Sequence, residues 1–150
     1  MNVDKISNIN RLATFSPLPL RLITGIAFIM HGLPKLSGID KTSGFFGSLG
    51  LPPELVLPVA LLEVIGGFAL IVGIATRITS ILFIIEMIGA ILVAKISKGF
   101  VGGYELELLL TFITISLLIS GPGRISIERD ILKREIFPKL KYHSGNSKQF

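Results

Sequence analysis

The chain has 150 residues, of which 50% are hydrophobic and only 17% are charged, and it contains no cysteine. A soluble domain has about 25% charged residues, so this composition excludes a soluble protein with a polar surface and indicates an integral membrane protein of one domain. The formal net charge of +5 requires no nucleic-acid partner, because a basic tail beside a lipid bilayer with anionic headgroups explains it.

Four apolar segments follow one another along the chain, and each predicts a transmembrane helix. They lie at about 18–36, 55–75, 78–96 and 104–120. A helix of about 20 residues crosses the hydrocarbon core, and these segments lack the period-two alternation of strands. The predicted fold class is therefore an all-α, integral membrane four-helix bundle, with residues 1–128 as the membrane domain and 129–150 as a basic cytoplasmic tail.

The connecting segments differ in character. The first contains Phe45 and Phe46, so we expect it to lie in the membrane interface or to fold back over the bundle. The second, GIATR at 73–77, predicts a tight hairpin. In the tail, apolar residues recur at helical spacing and predict an amphipathic interfacial helix that is bent or ends near Pro138. These apolar residues are Ile127, Ile131, Leu132, Ile136 and Leu140.

The distribution of basic residues predicts the orientation. Eleven of the 15 Lys and Arg residues fall on the side that holds both termini and the 73–77 hairpin, which leaves four for the other side. Cytoplasmic segments carry the excess of Lys and Arg. We therefore expect a multi-pass protein of the plasma membrane with both termini in the cytoplasm.

Charged side chains inside the spans form the candidate polar site, because each costs roughly 2.5 to 3.5 kcal/mol to insert. Glu63 and Glu86 lie about nine residues from one end of their spans, which places them roughly 13 Å deep. His31 and Lys35 lie at the far end of the first span. The candidate intramembrane site consists of His31, Lys35, Glu63 and Glu86.

The helix face of Glu63 also carries Gly66 and Gly67. Small residues beside a polar one are typical of a helix–helix contact, so Glu63 is expected to point inward. Its predicted partner on the first span is His31 or Lys35. Since the helix is expected to end near Lys35 and place it by the headgroups, His31 is the favoured partner. A purely structural pair and a functional polar site both stay open at this point.

The other charged residues near span ends have simpler interpretations. Arg21, Arg77, Lys95 and Lys98 are expected to reach the headgroups as interface anchors. Glu105 is interpreted as a carboxylate at a helix start. Glu86 has no basic residue at equal depth, so we expect it to be protonated or to face a polar cavity.

Several runs together resemble the DoxX family of small four-helix membrane proteins. They are RLITGIAFIMHGLPKL, EVIGGFALIVGIATR, YELELLL and GPGRISIE, and they extend over most of residues 21–128. The positions that match the family pattern are Arg21, His31, Gly32, Lys35, Glu63, Gly66, Gly67, Gly73, Thr76, Arg77, Glu105, Gly121, Gly123 and Ser126. The chain departs from the pattern at Glu128, where the family usually has Asp, and Glu86 is not part of the pattern.

The resemblance implies an accessory or quinone-linked subunit of a membrane redox complex, linked to sulfur or thiol chemistry or to oxidative stress, with a bound quinone and redox protein partners. In a pocket lined by the candidate intramembrane residues, the lysine cation and the histidine imidazole could hold a quinone carbonyl or an oxyanion such as thiosulfate. Without cysteine the chain cannot cycle a disulfide of its own. No residue is assigned a catalytic role, and whether the chain is an enzyme or a homo-oligomer stays open.

Two other classes of function remain beside this one. A non-catalytic membrane scaffold would dock partners through the tail and the first loop, and a small-solute or proton carrier would use Glu63 and Glu86. The two histidines, His31 and His143, are far apart in sequence, so the sequence predicts no metal site.

Overall fold

The structure is a computed structural model that describes residues 14–137. Its main helices are α1 (Pro17–Ser37), α2 (Ile39–Ser48), α3 (Pro53–Val72), α4 (Thr76–Lys98) and α5 (Phe100–Ser120). Helices α3, α4 and α5 are each long and apolar enough to cross a membrane, and α1 and α2 form a fourth candidate that is bent by 99°. The prediction of an all-α membrane bundle is confirmed.

Helix α3 ends earlier than the sequence predicted. It stops at Val72 rather than at residue 75, because Gly73 adopts a left-handed conformation with φ 70° and ψ 50°. Glycine takes that conformation at little cost and commonly ends helices. Ala75 also has a positive φ of 50°, so two left-handed residues make the predicted tight hairpin between α3 and α4.

The distribution of side chains is that of a protein in lipid. Large apolar side chains lie on the outside, including Met30, Ile65 and Phe112, which are 62%, 63% and 64% exposed. The interior instead buries Arg21 and Glu63, which are 0% and 2% exposed. Lipid solvates the apolar exterior, whereas charged groups at membrane depth must face the interior of the bundle.

Glycines bring the helices into close contact around α3. A Cβ atom on Gly67 would lie 2.6 Å from the carbonyl oxygen of Gly25 in α1, and one on Gly66 would lie 2.9 Å from the ring of Phe83 in α4. Only glycine allows backbones to approach this closely. The expected helix–helix contact at these positions is therefore confirmed, and Glu63 points inward as predicted.

We call the end of the bundle where α1 begins and α5 ends the termini end, and the opposite end the loop end. At the loop end, α1 continues through Pro34 and stops before Gly38. The sharp bend there directs α2 across the bundle, and Phe45 and Phe46 of α2 line a cavity between the long helices. Of the two alternatives expected for this segment, the structure shows the one that folds back over the bundle.

At the termini end, the chain after α5 returns across the bundle. Its helical part is a single turn, α6 (Ile127–Ile131). The amphipathic helix predicted from the spacing of Ile127 to Leu140 does not continue over 132–137. Contacts with the end of the bundle set the path of this backbone, and its apolar periodicity does not. Glu128 accepts a hydrogen bond from the Ala75 amide, and Glu135 forms an ion pair with Arg77. Pro138 and Leu140 of the predicted helix lie outside the described residues.

Candidate intramembrane binding site

The cavity at the loop end has a volume of about 440 Å³. Its walls come from α1, α3, α4 and α5, and α2 with the segment that follows it covers one side. Most of the lining is aliphatic or aromatic, including Phe28, Phe45, Phe46 and Met87. Its charged or titratable lining residues are His31, Lys35, Glu63, Glu86, Lys95 and Glu107. The cavity thus brings together all four residues predicted for the polar site, and adds Lys95 and Glu107.

Lys35 and Glu63 form an ion pair inside the bundle. The Lys35 Nζ atom donates to Glu63 Oε1 at 2.6 Å, and the two side chains are 26% and 2% exposed. Gly32 lies one turn before Lys35, and a Cβ there would be 3.0 Å from the carbonyl oxygen of Ala60, so α1 and α3 lie close enough for the lysine to reach. The expectation that Lys35 lies by the headgroups is wrong, because its long stem turns toward this carboxylate.

His31 does not pair with Glu63. Its Nδ1 atom lies 2.8 Å from the carbonyl oxygen of Ala27, one turn back on α1, and the side chain is exposed. The ring therefore sits at the edge of the cavity rather than beside the buried carboxylate. The preference for His31 over Lys35 as the partner of Glu63 is corrected.

Glu86 lies against Glu63 rather than beside a basic residue of its own. The two carboxyl groups are within hydrogen-bonding range, and Lys35 is close enough to interact with Glu86 electrostatically. A direct hydrogen bond between two carboxyl groups requires a proton on one of them. Glu86 faces the polar cavity, which is one of the two alternatives expected from the sequence.

Sequence reasoning missed a second ion pair at the cavity. The Lys95 Nζ atom lies 3.2 Å from Glu107 Oε1, with side chains that are 35% and 12% exposed. The expectation that Lys95 is a headgroup anchor is wrong, because its ammonium group faces this carboxylate. The signal that could have revealed the pair is the short connection between α4 and α5, because antiparallel neighbours bring Lys95 and Glu107 to a similar depth.

Three carboxyl oxygens at this cavity are buried without a hydrogen-bond donor from residues 14–137. They are Glu63 Oε2, Glu86 Oε2 and Glu107 Oε2. Glu63 sits in a π-helical turn of α3, Leu62–Gly66, a local irregularity that is frequent at functional sites. Buried acceptors without donors are costly, so their concentration in one cavity makes it the candidate site for water or for a ligand that donates hydrogen bonds.

Arg21 lies at the opposite end of the bundle and is not an interface anchor. It is fully buried, and its guanidinium donates to the carbonyl oxygens of Leu70 at 2.8 Å, Ile71 at 2.9 Å and Ile125 at 3.1 Å, and also to that of Pro122. The last turn of a helix leaves carbonyl groups without intrahelical partners. Arg21 satisfies those of α3 and also holds the returning chain.

Arg77 has a similar structural role, so its assignment as an anchor is also corrected. Its Nε atom donates to Glu135 Oε2 at 2.6 Å, and its guanidinium contacts the carbonyl oxygens at the end of α5. Three other family-pattern residues, Gly121, Gly123 and Ser126, shape the turn that makes these contacts. Both glycines have positive φ, and Ser126 Oγ donates to the Gly123 carbonyl at 2.8 Å.

Two carboxylates outside the cavity belong to helix starts. Glu105 accepts a hydrogen bond from the Gly102 amide at 3.1 Å, as expected for its position. Glu128, at the termini end, accepts from the Ala75 amide at 2.7 Å. Burial raises the pKa of Glu128 above its ordinary value even though this amide stabilises its charged form.

Comparison with known proteins agrees with this architecture. The DoxX family model matches residues 16–96. The chain is 39% identical over 124 residues to the "Putative oxidoreductase CatD" of Bacillus subtilis (strain 168), covering 83% of this chain and 92% of that protein. It is 31% identical over 137 residues to the "Uncharacterized membrane protein Rv3486" of Mycobacterium tuberculosis, covering 79% and 83%. It is 30% identical over 119 residues to the "Inner membrane protein YphA" of Escherichia coli, covering 73% and 85%. No solved structure matches the chain.

Proposed function

The chain belongs to the DoxX family of membrane proteins, and from this premise we propose that it binds a lipophilic quinone in the cavity at the loop end, as a membrane subunit of a redox complex. The observation that carries the proposal is the cavity itself, in which a small group of charged side chains lies among apolar walls. Ligand sites of about 300–1,000 Å³ with such a lining are typical of small-molecule binding, and the cavity of about 440 Å³ falls within this range.

The lining residues suit the two parts of a quinone. Phe45, Phe46 and Met87 offer apolar and aromatic surface to the ring and its alkyl substituents. Lys35 uses one of its three N–H donors on Glu63 and can donate another to a carbonyl oxygen. When bound, a quinone supplies reversible chemistry of two electrons and two protons, and a partner redox protein is the electron donor or acceptor. The family relative in Bacillus subtilis carries the name of an oxidoreductase, which agrees with this class of function.

The test is whether quinone copurifies with the protein and depends on the space in the cavity. Gly89 lines the cavity, and a Cβ there would meet nothing within 4 Å, so Gly89→Phe is expected to occupy part of it. Gly47 of α2 also has open space but does not line the cavity, and Gly47→Phe is the matched control. We expect organic extracts of the wild type and Gly47→Phe to contain quinone by mass spectrometry, and those of Gly89→Phe to have lost most of it.

The alternatives predict different results in the same preparations. A scaffold would yield no quinone from any variant while still capturing its protein partners. A small-solute or proton carrier would show uptake into liposomes that Glu63→Gln abolishes. Equal quinone content in Gly89→Phe and the control would contradict binding in this cavity.

We also propose that the loop end faces the outside of the plasma membrane and that both termini are cytoplasmic, because Lys and Arg concentrate at the termini end. The chain has no cysteine, so single cysteines can report sidedness without background. On intact cells, a membrane-impermeant maleimide is expected to label Lys41→Cys and to leave Arg124→Cys unlabelled. The reverse pattern would contradict this orientation.

A further inference from the structure

The charged groups that line the cavity compensate one another. Three carboxyl groups line it, those of Glu63, Glu86 and Glu107, against two ammonium groups, those of Lys35 and Lys95. Each ammonium already contacts a carboxylate, at 2.6 Å and 3.2 Å. A proton shared by Glu63 and Glu86 leaves two negative charges against these two ammonium groups. An entering anion would therefore meet no uncompensated positive charge and would lose its water in a place of low dielectric.

The same groups also contain more acceptors than donors. One oxygen of each carboxyl group is buried without a donor from the described part of the chain. A proton shared by Glu63 and Glu86 provides the hydrogen bond between these two groups. Glu107 Oε2 still has no donor. An additional donor must come from outside the described residues, and a carrier that fills this cavity must be largely apolar to suit its walls.

We infer that the cavity selects an uncharged, largely apolar ligand that donates hydrogen bonds through hydroxyl groups, which is the chemistry of a quinol, and that it disfavours oxyanions. This inference rests on the proposed function and deepens it, because it assigns the reduced form of the ligand as the one bound more tightly. An oxidised quinone brings only acceptors, which can use a remaining N–H donor of Lys35 but leave Glu107 Oε2 unsatisfied. The hydroxyl of a quinol supplies the missing donor to Glu107.

The experiment compares ligands of one ring system that differ in their hydrogen-bond donors. An alkylated 1,4-hydroquinone and its dimethyl ether share a ring and apolar surface, but the ether has no O–H group. Their dissociation constants are measured by calorimetry on the full chain in detergent without oxygen, together with the parent quinone. A hydrogen bond to a charged acceptor contributes enough free energy for about a tenfold or larger difference. We expect the hydroquinone to bind at least about tenfold more tightly than the ether.

Variants tie this difference to the carboxyl groups. Glu107→Gln replaces the unsatisfied oxygen by an amide of the same shape, and we expect it to reduce the preference for hydroquinone over ether severalfold. Glu54→Gln is the matched control, because Glu54 is exposed at the start of α3 and does not line the cavity. Thermal unfolding of each variant checks that a lost preference does not reflect lost structure. Should Glu107→Gln unfold, Glu107→Asp replaces it in the series, since it keeps the charge that faces Lys95 but shortens the side chain by one methylene.

The outcomes separate this inference from the proposed function. If hydroquinone, ether and quinone bind equally, or if thiosulfate displaces the hydroquinone at comparable concentration, the donor selectivity is wrong while quinone binding stands. If the folded Glu107 variant retains the full preference, this carboxyl group is not its source and the inference is overturned. If none of the three ligands binds, the inference and the proposed function both fail.

Discussion

Replacing Lys35 by methionine removes the cation that faces a carboxylate only 2% exposed. At the observed separation of 2.6 Å, the attraction between unit charges is about 6 kcal/mol at an effective dielectric constant of about 20. The cost of removing both groups from water offsets most of this attraction when the pair forms. The single substitution leaves that desolvation cost of Glu63 in place and removes its compensation.

We expect Lys35→Met to lower the free energy of unfolding by about 3 kcal/mol. Breaking a buried pair typically costs about 3–5 kcal/mol, and the lower end applies because the Lys35 side chain is 26% exposed and because Glu63 can take up a proton. The double variant Lys35→Met with Glu63→Leu removes both charges and is expected to recover most of the loss. The difference between the double variant and the sum of the singles measures the coupling.

The assay is reversible unfolding in mixed micelles, followed by circular dichroism. Lys41→Met is the control, since Lys41 is exposed on α2 and a surface substitution of this kind changes stability by less than about 0.5 kcal/mol. A loss under about 1 kcal/mol for Lys35→Met, or strictly additive effects in the double variant, would refute a buried and coupled ion pair.

Three further predictions concern packing and the termini end. Gly67→Ala places a Cβ atom 2.6 Å from the Gly25 carbonyl oxygen and is expected to cost about 1–3 kcal/mol in thermal unfolding, whereas Gly44→Ala in open helix is expected to gain up to about 1 kcal/mol. Arg21→Lys loses the planar guanidinium that donates to four carbonyl groups. It should lower the free energy of unfolding by roughly 3 kcal/mol and speed amide hydrogen exchange over 121–137. The pKa of Glu128 is raised in the folded state from 4.5, so the native form holds more protons than the unfolded chain above that pH. The free energy of unfolding therefore falls as pH rises. Glu128→Gln, measured from about pH 4 to pH 8, should lack this fall.

Each of these predictions has a result that contradicts it. Wild-type stability for Gly67→Ala would mean that α1 and α3 do not touch at this glycine. Unchanged hydrogen exchange in Arg21→Lys would show that the arginine does not hold the returning chain. An identical pH dependence of unfolding in Glu128→Gln and wild type would place the responsible proton on another group.

The amino-acid sequence by itself determined the membrane helices and the direction of Glu63. In lipid, an apolar segment of about 20 residues satisfies its backbone hydrogen bonds by forming a helix. A carboxylate deep in such a helix must face protein. These are local properties, set by hydropathy and by helical geometry, and they were readable at the positions of α1, α3, α4 and α5. The order of family-pattern residues also identified the resemblance to DoxX.

Only the tertiary structure decided which charged groups meet. His31 and Lys35 lie one turn apart on α1, and a flexible lysine stem reaches Glu63 while the imidazole takes the carbonyl of its own helix. Arg21 is buried because Pro122, 101 residues further along the chain, returns to it. Such contacts depend on how the helices rotate against one another and on where the chain returns. The periodicity of a single segment predicts neither.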